Sequence, residues 1–172
     1  LHASSKASVM PLLGREKVSR MTDEAYVRIN NNVRGVFIGG LFNIMEGTPV
    51  GLTQGEVPKG TKSTSGLTKN NWFLSVGTPS SSVTSSKAGG LASIRQLQQM
   101  PKGVLNKKIF YTNNKPNILT LEYGGFPNPV KKGSKLKGGD YTKLSSGGFS
   151  NQASNGWIRK TLKAMANKIR SL

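Results

Sequence analysis

The sequence contains no cysteine, so it offers no disulfide, no thiolate metal site and no cysteine nucleophile. Histidine occurs once, as His2, and a serine-protease type of triad would have to take its base from the N-terminal stretch. The sequence also lacks the run of about 18 apolar residues that predicts a membrane-spanning helix. These absences predict a soluble protein without membrane contact and argue against serine and cysteine hydrolases.

Acidic residues are scarce and unevenly placed. The chain has 7 Asp and Glu against 25 Lys and Arg, a formal charge of +18. After Glu56 it holds 19 of those basic residues but only two carboxylates, Glu122 and Asp140. Acid–base catalysis by paired carboxylates requires two that converge, and a stretch rich in glycine and lysine separates these two. We therefore expect a protein with no enzymatic activity, no cofactor and no metal.

The positive charge is the strongest compositional signal. A field of this size attracts polyanions, and nucleic acid, an acidic protein and an anionic membrane all have the required charge. A basic surface that serves only solubility is the simpler alternative. Residues 1–56 hold 6 basic and 5 acidic side chains, so the excess lies in the later part of the chain. This asymmetry favours a polyanionic partner over solubility alone.

Apolar residues recur at three- and four-residue steps near both ends of the chain, which predicts two long helices. The first follows an expected extended arm at residues 1–18, begins near Ser19 or Thr22 and ends at Gly47. Its predicted apolar face contains Tyr26, Ile29, Val33, Val36, Phe37, Leu41 and Ile44. Gly39 and Gly40 weaken this helix, so we expect another backbone to approach there. The second helix, from Asn155 onward, is basic outside its apolar stripe.

Shorter elements are predicted between the two helices. β-favouring residues predict strands at 70–76 and 107–112, and the spacing of Leu91, Ile94 and Leu97 predicts a short helix. The segment "NILTLEYGG" fits a strand or a helix, and Pro116 and Gly124 favour a helix in which Glu122 lies beside the core. The sequence thus predicts an α+β fold, with long N-terminal and C-terminal helices packed on a small, mostly antiparallel β-sheet, in a single domain at 19–172.

Residues 124–156 are rich in glycine and proline and predict a long basic loop. Its lysines are Lys131, Lys132, Lys135, Lys137 and Lys143. Loops of this length are usually functional or disordered. The stretch "GSKLKGG" lacks the spacing of a nucleotide-binding loop. We expect the loop to contact DNA phosphates or an acidic protein groove, becoming ordered on contact.

The tryptophans and the last helix each allow two interpretations. Trp72 and Phe73 alternate in a strand, so one ring is expected in the core and the other over a sheet face or against another subunit. Trp157 lies outside the apolar stripe and is expected against the preceding loop or a neighbouring subunit. The basic last helix fits a membrane or nucleic-acid surface, but packing of its stripe inside the fold is the simpler interpretation.

Three separated motifs occur in a particular order. They are "TPV" after the long helix, "KNNWFLSVGTPS" followed by "IFYTNNKPNILTLEYGGF", and "GGFSNQASNGWIRKTLKAMA" at the last helix. In this order they resemble the tail-completion or neck proteins of tailed bacteriophages, over roughly residues 20–172. The matching positions are Thr48, Pro49, Val50, Asn71, Trp72, Asn113, Asn114, Pro116, Leu121, Glu122, Tyr123, Gly124, Ser150, Gln152, Ala153, Gly156 and Arg159. The sequence departs from the family pattern at "GLTQG", Asn117 and Ser154, and in the lysine-rich stretch 127–147.

The resemblance implies a structural virion protein that completes or caps the tail and joins it to the head. It implies a ring of identical subunits, expected to be hexameric, assembled in the host bacterial cytoplasm and located at the virion neck. Its expected partners are neighbouring head–tail connector and tail-tube proteins. The expected subunit or partner contacts are Trp72, Glu122, Tyr123, Trp157 and Arg159.

Two further expectations concern charge. Glu122 is expected to pair with Arg159 of its own chain or with a basic residue of the next subunit. In a ring, symmetry multiplies the basic loop around the axis, where it lines a channel for DNA without base preference or faces an acidic ring. A non-specific nucleic-acid-binding protein is the alternative function.

Overall fold

The computed structural model describes residues 12–49, 66–86, 89–124, 144–145, 149–150 and 155–172. In chain order these form helix α1 (Leu12–Glu46), strand β1 (Trp72–Val76), helix α2 (Leu91–Gln98), strand β2 (Ile109–Asn113), helix α3 (Asn117–Tyr123), strands β3 (Leu144–Ser145) and β4 (Phe149–Ser150), and helix α4 (Trp157–Arg170). β1 and β2 pair antiparallel, with Trp72 opposite Asn113 and Val76 opposite Ile109. The predicted α+β class is therefore confirmed. None of the described helices combines the length and apolar character needed to cross a bilayer.

Two boundary predictions are wrong. α1 begins at Leu12, so residues 12–18 of the expected extended arm are helical, and the rest of that arm lies outside the described residues. Arg15, Glu16 and Lys17 favour a helix by their intrinsic propensity. The expected irregular loop at 124–156 contains a short hairpin, because Leu144 in β3 pairs with Ser150 in β4.

The core lies between the C-terminal half of α1, the β1–β2 sheet, α2 and α4. Its members include Val33, Val36, Leu41, Ile44, Met45, Trp72, Leu97, Met100, Trp157 and Met165. On α1 burial begins at Asn30, so Tyr26 and Ile29 of the predicted apolar face are 51% and 44% exposed. The apolar face predicted for the first helix thus packs in the core only from Val33 onward.

α1 and α4 approach closely at Gly40. A Cβ placed on Gly40 would collide with the side chain of Met165, whereas a Cβ on Gly39 would meet nothing within 4 Å. The expectation that another backbone approaches both glycines is therefore wrong, because the close neighbour is a side chain and it meets only Gly40. The missing side chain at Gly40 leaves the space that the buried Met165 fills.

Buried asparagines fasten the irregular segments to the core. The side chain of Asn30 donates to the Lys102 carbonyl at 2.7 Å and accepts the Val104 N–H at 2.8 Å. The side chain of Asn71 bonds Thr84 in both directions, accepting its N–H at 2.8 Å and donating to its carbonyl at 2.9 Å. Buried backbone groups need partners, and these amides supply them where no strand or helix does.

Candidate functional site

The carboxylate of Glu122, at the end of α3, lies at the N-terminus of α4. Its Oε2 accepts the backbone N–H of Ile158 at 3.0 Å, and its Oε1 accepts the backbone N–H of Arg159 at 3.1 Å. The residue before α4, Gly156, has a left-handed φ of 64° and supplies no side-chain cap. Glu122 therefore caps α4 from another helix, where a negative charge also favours the positive end of the helix dipole.

Arg159 holds the same carboxylate with its side chain. Its Nε lies 2.9 Å from Glu122 Oε1, and its Nη2 donates to the Glu122 carbonyl at 3.3 Å. The guanidinium carbon stands 4.6 Å from the centre of the Tyr123 ring, a cation–π distance. Side-chain exposure is 53% for Arg159 but only 4% for Glu122. The expected pairing within the chain is confirmed, and the expectation that Glu122 lies beside the core is wrong because it is buried.

Both oxygens of the Glu122 carboxylate accept hydrogen bonds within the chain. Each oxygen of Glu122 accepts from a backbone N–H, and one of them also accepts from a guanidinium. A carboxylate with that many donors has its acceptor positions taken up by groups of its own chain. Within the described residues no group of three or more His, Cys, Asp or Glu lies close enough to hold a metal ion. The geometry of this cluster serves to connect α3 to α4.

Both tryptophans of the expected interface lie inside the chain, each 4% exposed. The Trp157 indole N–H donates to the Ile44 carbonyl at 2.9 Å, and the Trp72 indole N–H donates to Thr48 Oγ1 at 2.9 Å. The Thr48 hydroxyl in turn donates to the Ile44 carbonyl at 2.8 Å. Trp157 thus packs on the end of α1, and the two rings secure the last turn of α1.

The expected contact residues therefore divide into two groups. Trp72, Glu122 and Trp157 are buried within the described chain, whereas Tyr123 is 58% exposed and Arg159 is exposed beside it. Only the outer pair is accessible to a second molecule in this fold. The lysines of the expected basic loop, from Lys131 to Lys143, lie outside the described residues, and their role remains a prediction.

The exposed side of α4 is a basic surface that continues from Arg159. Arg159, Lys160, Lys163 and Arg170 are exposed, and at 3.6 residues per turn they lie within an arc of about 100° around the helix. The sequence of α4 contains no acidic residue. The opposite side packs inward, with Met165 buried and Ile158 and Ile169 packed against the core. These three residues of the predicted stripe pack inside the fold, whereas Leu162 and Leu172 are 48% and 52% exposed. The simpler interpretation is thus confirmed for part of the stripe, and a charged face remains toward solvent.

An apolar cavity of about 200 Å³ opens between α1, the sheet and α4. Its walls include Phe37, Leu41, Tyr111, Ile158, Leu162 and Met165. Tyr111 stacks on Trp72 with ring centres 4.9 Å apart, and its hydroxyl is buried without a hydrogen-bond partner in the described residues. Burial raises the pKa of the Tyr111 phenol well above its ordinary value. We call this cavity the α1–α4 groove.

The helix-capping role of Glu122 and the buried network of Thr48 were missed by sequence reasoning. A glycine in the N-cap position of α4 was the available signal, because a helix start without a capping side chain requires another acceptor. Nothing in the spacing of Thr48 and Trp72 indicated their contact.

Comparison of the chain with known proteins adds no relative: no family model, no curated protein and no solved structure matches it. The resemblance to phage neck proteins therefore rests on the motifs and their placement.

Proposed function

We propose that this chain is a structural virion protein of a tailed phage that completes or caps the tail and joins it to the head. It acts as a ring of identical subunits, expected to be hexameric, between the head–tail connector and the tail-tube proteins at the virion neck. It is assembled in the bacterial cytoplasm and catalyses no reaction. The proposal rests on the three ordered motifs of the sequence.

The observation that supports it best is that these separated motifs meet in space. Thr48 of the "TPV" motif accepts a hydrogen bond from Trp72 of the second motif. Glu122, also in the second motif, accepts one from Arg159 of the last motif. Each contact joins residues at least 24 positions apart in the sequence. Residues that hold distant segments together are those on which a shared fold depends, so their convergence favours the interpretation of the motifs as one family pattern.

The exposed surfaces fit a role in assembly. Tyr123 and Arg159 present a ring and a guanidinium on one patch, and aromatic and arginine side chains are enriched at protein interfaces. The basic loop from Lys131 to Lys143 is assigned in this proposal to the channel, where it contacts passing DNA, or to an acidic neighbouring ring. Contact with DNA would involve phosphates and show no base preference.

The test is to inactivate the gene in its parent genome and image the lysate by electron microscopy. We expect filled heads beside separate tails, or tails of abnormal length, and restoration of joined particles when an intact copy is supplied from a plasmid. Intact infectious particles from the inactivated genome would contradict the proposal. Tyr123→Ala supplied from the same plasmid then tests the exposed patch, with Leu91→Ala as the control, since Leu91 is 56% exposed but lies on α2.

The basic face of α4 favours non-specific nucleic-acid binding as the second candidate. It places Lys160, Lys163 and Arg170 on one exposed face without a neighbouring carboxylate in the helix. Such a face binds duplex phosphates with an affinity that falls steeply with salt. Fluorescence anisotropy with a short duplex measures that slope. For this candidate, Lys160→Gln and Lys163→Gln each reduce the slope by about 1, whereas Lys168→Gln, outside this face, changes it less. A purified protein without measurable duplex binding at low salt would exclude the candidate.

A further inference from the structure

One asparagine of the sequence is followed by glycine. Of the 14 asparagines, Asn155 precedes Gly156, and each of the others precedes a larger side chain or, at Asn128, a proline. The backbone nitrogen that follows an asparagine can attack the side-chain amide carbon, and a side chain on the following residue hinders that approach. Glycine has no Cβ and adopts backbone conformations that other residues avoid. The Asn155–Gly156 pair is therefore where this reaction meets the least hindrance in the chain.

The structure places the reacting amide in contact with water. Asn155 is exposed, immediately before α4. Among the described residues, neither its side-chain amide nor the Gly156 N–H has a hydrogen-bond partner. The buried asparagines differ, since the amides of Asn30, Asn70 and Asn71 each donate to a backbone carbonyl of another segment. Those three side chains are held in place, whereas no described residue holds the Asn155 amide away from the neighbouring nitrogen.

The surroundings of Gly156 stabilise a negative charge. A Cβ placed on Gly156 would stand 3.1 Å from Arg159 Nη2, so the guanidinium lies against this glycine. Gly156 is also the N-cap residue of α4, and the helix dipole is positive at that end. Glu122 already pairs with the same guanidinium. A carboxylate formed at position 155 would thus arise beside the cluster that connects α3 to α4.

We propose that Asn155 deamidates in the folded protein through attack by the Gly156 nitrogen. A bond forms between that nitrogen and Asn155 Cγ, and the side-chain nitrogen leaves as ammonia with the proton that Gly156 releases. The product is a cyclic succinimide. Water then opens the ring at one of its two carbonyls, which yields aspartate or isoaspartate. The reaction consumes only water, and the inference is independent of the neck assignment.

The two products have different consequences for α4. Each adds one negative charge and so removes one unit from the formal charge of +18. Aspartate leaves the backbone unchanged and places its charge near the positive end of the helix, which is favourable. Isoaspartate inserts one further carbon into the backbone directly before Gly156. That insertion disturbs the start of α4, where the N–H groups of Ile158 and Arg159 meet Glu122.

The test is to incubate the purified full chain at physiological temperature and pH, digest it with trypsin and analyse the peptides by mass spectrometry. Cleavage after Lys143 and Arg159 releases residues 144–159, which contain both Asn151 and Asn155. We expect the small mass increase of an amide converted to an acid, located by fragmentation at Asn155, while Asn151 keeps its amide. If Asn155 keeps its amide while a synthetic peptide of residues 144–159 converts, the fold prevents the attack and the proposal is wrong.

The products identify the route of the reaction. Aspartate and isoaspartate peptides have equal mass but separate by reversed-phase chromatography, and the Asn155→Asp variant provides the aspartate standard. Attack by the Gly156 nitrogen requires that isoaspartate is formed as well as aspartate. Aspartate alone would indicate direct hydrolysis and would overturn the role of Gly156. Asn106 is a further control, because it is exposed but precedes Lys107, and we expect it to remain unmodified.

Urea denaturation tests the consequence for α4. Cation-exchange chromatography separates the modified protein, which has lost one unit of positive charge, from the unmodified protein. We expect the isoaspartate form to unfold at a lower urea concentration than the unmodified protein, and Asn155→Asp to unfold at no lower concentration. Equal midpoints for the isoaspartate form and Asn155→Asp would show that α4 accepts the longer backbone, and would overturn the effect on the Glu122 cap.

Discussion

Glu122 contacts Arg159 through both the backbone and the side chain of the arginine. One carboxylate oxygen accepts the Arg159 N–H at 3.1 Å and the Arg159 Nε–H at 2.9 Å. The same carboxylate also accepts the Ile158 N–H at 3.0 Å, so one buried anion both caps a helix and neutralises a guanidinium. In a strongly basic chain, this use explains why a carboxylate is present between Leu121 and Tyr123.

Glu122→Gln should destabilise the fold. A glutamine side chain has one acceptor oxygen in place of two and no charge, so at least one backbone N–H at the start of α4 loses its acceptor and the Arg159 guanidinium loses its counter-ion. We expect the free energy of unfolding to fall by about 1–3 kcal/mol, the cost of leaving a buried hydrogen-bonding group without its partner. Urea denaturation measures the change. Glu16→Gln is the control, because Glu16 is exposed near the start of α1. It should change stability by less than about 0.5 kcal/mol.

Arg159→Met should cost less than Glu122→Gln. The methionine removes the guanidinium and its cation–π contact, but Glu122 keeps the two backbone N–H donors that cap α4. Because the Arg159 side chain is 53% exposed, its loss should lower the free energy of unfolding by about 1 kcal/mol. The same urea experiment decides the order of the two variants. A larger loss for Arg159→Met would mean that the ion pair, rather than the cap, is the main contribution of Glu122.

Gly40→Ala and Gly39→Ala should have opposite effects. A methyl group at Gly40 overlaps Met165 and forces α4 or the methionine to move, whereas a methyl group at Gly39 enters open space. We expect Gly40→Ala to destabilise by about 1–3 kcal/mol through overpacking. Gly39→Ala should stabilise by up to about 1 kcal/mol, because alanine favours the helix. Thermal unfolding of the two variants provides the comparison. Equal shifts of Tm in the same direction would contradict the packing at Gly40.

The predicted elements that agree with the structure are those with clear local signals. The strand at Trp72 was indicated by β-favouring residues, whereas the spacing around Ile118 fitted a strand or a helix and the flanking Pro116 and Gly124 favoured the helix. The start of α1 was missed because residues 12–18 have helix-favouring side chains but no apolar period, and Ser19 offered an attractive cap. An apolar period indicates which side of an element is buried. The N-terminal part of α1 is exposed, so it has no such period to mark where the helix begins.

The long-range contacts were less predictable, apart from one. The scarcity of carboxylates indicated that Glu122 pairs with a basic residue such as Arg159, because the chain has few acidic side chains and many basic ones. The Trp72 contact with Thr48 depends on how α1 meets the sheet, and no feature of either residue encodes that arrangement. The buried amides of Asn30 and Asn71 likewise bond backbone groups of distant loops. Such contacts follow from tertiary packing, which a sequence pattern does not specify.

Tyr111 should make the protein lose stability at alkaline pH. Its phenol is buried without a hydrogen-bond partner in the described residues, and burial raises its pKa in the folded state. In the unfolded chain the phenol titrates near pH 10. Above that pH the unfolded state releases a proton that the folded state retains, so the free energy of unfolding falls by about 1.4 kcal/mol for each further pH unit until the folded-state pKa is reached.

Tyr111→Phe removes both the titrating group and the unpaired hydroxyl, and keeps the ring that stacks on Trp72. At pH 7 the variant should be at least as stable as the wild type, because an unsatisfied buried hydroxyl is lost. Between pH 10 and 11, the first pH unit above the phenol pKa of the unfolded chain, the free energy of unfolding should fall less for the variant than for the wild type. Urea denaturation followed by tryptophan fluorescence over this range measures both effects. Tyr26→Phe is the control, since Tyr26 is 51% exposed and its loss should leave the alkaline decline unchanged. An unchanged decline in Tyr111→Phe would show that the phenol is accessible to water in the folded protein.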